Sequence, residues 1–126
     1  MKFTVDRDRD IRVMMDLFLA DTPDANARAK EAGVPEDVLK AAREASLREE
    51  ALKILEELAK SRYEEDSAIL ETAVRSYQAA WDKIDHSFFS EVEKITGHAW
   101  QFPDYVVVVS LFHHGVSNSN ENVVLR

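Results

Sequence analysis

YEEDSAILETAVRSYQAAWDKIDHSFFSEVEKITG, residues 63 to 97, is the stretch on which the fold turns. Its large apolar residues are Leu70, Val74, Tyr77, Trp81, Ile84, Phe88, Val92 and Ile95. They recur every three or four positions, so they fall on one face of a helix. At 1.5 Å per residue the stripe runs about 38 Å. No proline interrupts it, and its only glycine is Gly97, at the end. This reading expects one long helix, with a kink or restart at Asp85-His86-Ser87, whose face gathers the rest of the chain. On that reading Trp81 is core, and Trp81→Asp would unfold most of the domain.

Working outward, the segment before it lacks Gly and Pro from Pro35 onward. Leu39, Ala42, Leu47, Ala51, Ile54 and Leu58 keep helical spacing. Two capping boxes, Ser46-x-x-Glu49 and Ser61-x-x-Glu64, mark places where a new helix could begin. The first lies inside the apolar pattern. The second follows Lys60, where nothing apolar remains to bury. The expectation is a helix from Pro35 to about Lys60 and a turn near Ser61. Upstream, Thr22-Pro23-Asp24 is a helix start and Gly33 a stop, framing a short alanine-rich helix over 25–32. Asp6 caps an earlier helix whose buried face holds Ile11, Met14, Met15 and Phe18, with Leu17 at its margin. Phe3-Thr4-Val5 reads as a short strand.

Downstream, His98 to Asp104 is an aromatic connector with Trp100 and Phe102. Tyr105 to Phe112 is the clearest strand, apolar on both faces and therefore covered on both or central in a sheet. Ser117 to Asn122 is polar and turn-prone. Val123-Val124-Leu125 is a final strand. The expected class is α+β: mainly helical, about four helices with two of them long, and a small sheet of the N-terminal and C-terminal strands. The open strand edge implies either pairing with another copy, as a homo-oligomer, or a missing C-terminal portion.

With 126 residues the chain is read as one domain, 1–126, able to bury about two-thirds of its unfolded surface. A net charge of −8, with 16 basic residues scattered among 24 acidic ones, argues against nucleic acid and anionic membranes. Absence of cysteine removes disulfides and thiolate chemistry. The charged N-terminus does not resemble a signal peptide, and no apolar run spans a bilayer, so a cytoplasmic location is expected.

Catalytic signals are sparse. His113 and His114 are adjacent, so on a strand they point to opposite faces and cannot share one metal. His98 could join either, with Asp104 or Glu121. His86 reads as a surface helical residue. Glu49-Glu50, Glu56-Glu57 and Glu64-Glu65-Asp66 diverge around their helix and read as a solvated face. No nucleophile elbow is present, and three glycines cannot build a phosphate loop. No cofactor, metal or catalytic residue is expected within the chain. A small-molecule pocket around Trp81, Trp100 and Phe102 is a third reading, after the two below.

One segment resembles a known family. Val92-x-x-Ile95-Thr96-Gly97, then Phe102-x-x-Tyr105, a valine-rich strand to Ser110, then Phe112-x-x-Gly115-x-Ser117-Asn118 and a hydrophobic strand, is similar to the region preceding the active-site helix in poorly characterised zinc-peptidase-like proteins of the zincin class. The match covers about the last 35 residues. In that class the next helix carries His-Glu-x-x-His, which is absent here, so no zinc ligand or base carries over. The resemblance implies a non-catalytic portion of a zincin-like protein with a strand that lines the substrate cleft. Within residues 113–122, His113, His114, Gly115, Asn118 and Asn120 are then the substrate-binding candidates. The alternative is a self-associating interaction module.

Overall fold

The computed structural model describes residues 1–112 and the backbone of 123–125. Six helices stand between the first and second of three short strands. They are β1 (Lys2–Thr4), α1 (Arg7–Leu17), α2 (Pro23–Glu31), α3 (Glu36–Glu44), α4 (Arg48–Glu65), α5 (Ser67–Trp81), α6 (Asp85–Thr96), β2 (Val106–Val108) and β3 (Val123–Leu125). The mainly helical α+β class is as expected. The helix count is not, because both expected long helices are divided.

Local chemistry explains most boundaries. Asp6 accepts a hydrogen bond from the Arg9 N–H at 2.9 Å and caps α1. Thr22 accepts from the Ala25 N–H at 3.2 Å, with Pro23 in the first turn of α2. Gly33 (φ +70°) and Gly97 (φ +71°) follow α2 and α6 in the left-handed region that glycine enters without a Cβ penalty.

The division between α3 and α4 departs from the expected one. The helix breaks at Ala45, which is extended at ψ 132°, and α4 runs straight through Ser61. No side chain caps α4 at Leu47, so the Ser46 box is not what starts it. Packing sets the boundary instead. Breaking at residues 45–47 lets α3 fold back so that Leu39 and Ala42 share a core with Ala51, Leu55 and Ala59 of α4. Extending α4 past Ser61 carries Tyr63 to α1. Ser61 merely donates to Glu65 at 3.2 Å on the surface.

That core is where the apolar surface goes. Ile11, Met14 and Met15 of α1 and Phe18 just after it share this core with α4, with Ala29, Ala32, Val34 and Phe112 closing the cluster. The 63–97 stripe is therefore not the organising face. It splits at 82–84 into α5 and α6, and of its eight large residues only Leu70 is buried. Tyr77, Ile84 and Ile95 are 49%, 47% and 83% exposed, and α6 buries no residue fully. Trp81 and Phe88 are half-buried.

The sheet orders β1-β2-β3, and both pairings are parallel. Lys2, Phe3 and Thr4 face Val106, Val107 and Val108, which in turn face Val123, Val124 and Leu125. Parallel strands require a crossover; all six helices supply the first one. Strand β2 is central, and Val107 and Val108 are buried, as the uninterrupted valine run implies, but the strand covers only three of the eight residues expected over 105–112. Strand β1 rests on α5, where Gln78 Oε1 accepts from the Phe3 N–H at 2.9 Å. The Met1 amino group donates to Asp85 at 2.9 Å, and Trp81 Nε1–H donates to the same oxygen. Those two donors hold the Asp85 carboxyl below its ordinary pKa.

Candidate functional site

The apolar stripe of α1 contains one charge. Asp10 stands at the helical phase of Met14, four residues earlier, and is fully buried at 0% exposure. A carboxylate there needs donors, and three arrive from remote parts of the chain. Tyr63, in the last turn of α4, donates its hydroxyl to Oδ2 at 2.6 Å. The Leu111 N–H donates to the same oxygen at 3.2 Å. The Ser110 hydroxyl donates to Oδ1, and Ser110 Oγ accepts from the Phe112 N–H at 3.1 Å.

Burial raises the Asp10 pKa from its ordinary 3.8, and the Ser110 and Tyr63 hydrogen bonds pull the other way. Burial and the neighbouring carboxylate also push the Tyr63 phenol well above its usual range, so Tyr63 remains a donor at every ordinary pH. The Arg62 guanidinium lies 5.7 Å from the centre of the Phe112 ring. A carboxylate sealed from solvent and already accepting from three donors can meet no substrate. The cluster is a clamp: it holds Ser110 and Leu111, just after β2, against α1 and α4.

His113, His114, Gly115, Asn118 and Asn120 lie outside the described residues; what is placed is their frame. On one side is the clamped Ser110–Phe112 segment, on the other β3 paired to β2. Of the remaining histidines, His86 and His98 are exposed on or just after α6. No group of three or more His, Asp or Glu residues able to hold a metal occurs among the described residues. Glu49, Glu50, Glu56, Glu57, Glu64 and Glu65 are all exposed, as a solvated face requires, but Asp66 is half-buried and pairs with Arg62 at 3.7 Å. No helix among the described residues is long and apolar enough to cross a membrane.

A second cluster forms where α6 meets the connector to β2. Phe88 and Phe89 contact Trp81 with ring centres 5.0 and 6.0 Å apart. Phe89 also meets Trp100 edge-on at 4.7 Å and stacks on Tyr105 at 6.0 Å. Phe102 meets Tyr105 edge-on at 5.8 Å. Trp100 and Phe102 thus both meet Tyr105, while Trp81 meets Phe88 and Phe89. Asp10, Tyr63 and Ser110 were missed in the sequence, although an aspartate in phase with Ile11, Met14 and Phe18 is a legible sign of a buried acceptor. No protein-family model matches the chain, and neither the characterised proteins nor the solved structures contain a match to it.

Proposed function

We propose that the chain is a non-catalytic, peptide-engaging portion of a zincin-like protein, in which the β3 edge and residues 113–122 receive an extended polypeptide. One observation supports this reading: among the described residues β3 pairs with β2 alone, and its other backbone edge has no partner strand among them, as strand addition needs. The hydrogen bonds to Asp10 fix Ser110 and Leu111 just after β2, the strand that β3 pairs with. The probe is reduced, carboxymethylated casein, a source of extended chain. Amide exchange at Val123–Leu125 is expected to slow about tenfold when it binds, since added strand pairing protects those groups. Unchanged exchange under saturating casein would sink the reading. So would a zinc-dependent rise in melting temperature, because a specific ligand stabilises the folded state by mass action.

A second reading, self-association, is favoured by Ile69 on α5, Ile84 just before α6 and Ile95 on α6, which are 67%, 47% and 83% exposed. If that face pairs copies, sedimentation equilibrium shows concentration-dependent dimers that Ile95→Glu abolishes. The substitution itself should change monomer stability by less than about 0.5 kcal/mol, being at the surface. A strict monomer at the highest soluble concentration removes this reading.

A further inference from the structure

We infer that the cleft between the last turns of α6 and the connector after Gly97 is a binding site for an alkylated ammonium group. The cleft has a volume of about 360 Å³ and is lined by Phe89, Glu93, Trp100, Gln101, Phe102 and Pro103, so three aromatic residues and one acid share it. Aromatic faces beside an acid suit a soft organic cation: the ring quadrupole attracts the charge, while the rings offer nothing to replace the water of a small inorganic ion.

The walls are set before any ligand arrives. The Trp100 indole N–H donates to the Phe89 carbonyl at 3.0 Å, and the Trp100 backbone N–H donates to Glu93 Oε1 at 3.1 Å. Tyr105 stacks behind Phe89 and meets Trp100 edge-on at 5.7 Å, so the rings brace one another. Among the described residues the carboxylate has no cation of its own. Lys94, its neighbour in sequence, is held by Glu91 at 2.6 Å, and Glu93 forms no ion pair among the described residues. A chain of net charge −8 further enriches cations around it.

This site is independent of the β3 edge, and its test leaves that edge untouched. Choline is titrated into the full chain against 3,3-dimethylbutan-1-ol, its neutral isostere, with amide shifts as the readout. Choline is expected to move the Glu93 and Trp100 amides along one saturable curve, and the isostere to bind about tenfold more weakly. Glu93→Gln keeps an acceptor for the Trp100 amide while removing the charge, and should weaken choline about fivefold; Phe102→Ala should weaken it about threefold. Equal binding of choline and isostere would overturn the assignment, as would Glu93→Gln binding choline as well as the wild type does. No saturable shift up to about 100 mM choline, well beyond any cation–π site of this kind, overturns it too.

Discussion

Replacing Asp10 by alanine is expected to lower the unfolding free energy by about 3 kcal/mol, because three donors lose their acceptor and each unmet buried group costs about 1–3 kcal/mol. The low end applies, since Tyr63 and Ser110 are half-buried and water reaches them in part. At about 4 °C per kcal/mol for a chain of this length, the melting temperature should fall by about 12 °C. Asp10→Asn should cost much less. With its oxygen in the Oδ2 place the asparagine still accepts from Tyr63 and from the Leu111 N–H, and the Ser110 hydroxyl can turn to accept from the new amide.

The pair of variants also isolates a pH dependence. The folded Asp10 pKa lies above the unfolded one, so between the two values the folded chain binds the extra proton. Stability from this group is complete below the unfolded value near 3.8 and is lost as pH rises through the folded value. Wild type should therefore lose stability relative to Asp10→Asn as pH climbs from about 4 toward 7 in urea melts. A difference that stays flat, or that grows in favour of wild type, would mean that the three hydrogen bonds outweigh the desolvation of the charge.

Local signals were legible wherever one residue sets a boundary. Asp6, Thr22, Pro23, Gly33 and Gly97 each act on backbone groups within a few positions, and each does in the structure what its chemistry requires. The valine run likewise announces a central strand. What was not legible depends on distance. Asp10 meets Tyr63 53 positions away and Ser110 100 positions away, and no spacing rule couples them. The same contact explains the misplaced turn: Ser61 looks like a cap locally, yet α4 must continue past it for Tyr63 to arrive. The stripe in 63–97 was read correctly as helical periodicity and wrongly as core. Periodicity says which residues share a face, not whether another element covers it. The candidate substrate residues in 113–122 carry no periodic signal at all.

Leu55→Asp should abolish folding, whereas Trp81→Asp should not, which reverses the ranking that the stripe alone suggests. Leu55 is fully buried in the middle of α4, in one core with residues of α1 and α3. An unpaired charge there costs at least several kcal/mol, a large share of the 5–15 kcal/mol that holds a domain of this size. Even Leu55→Ala, which leaves only a cavity, should cost about 2–5 kcal/mol. Trp81 is half-buried at the end of α5, where a carboxylate keeps its water. Its loss removes ring contacts to Phe88 and Phe89 and the hydrogen bond to Asp85, and adds a like charge four residues from that carboxylate, together worth about 2–3 kcal/mol. Far-ultraviolet circular dichroism at 25 °C should therefore show Trp81→Asp helical and cooperatively melting, and Leu55→Asp unfolded. If Trp81→Asp unfolds while Leu55→Asp melts near wild type, the α5–α6 face is the core after all and the α1–α4 interface is peripheral to it.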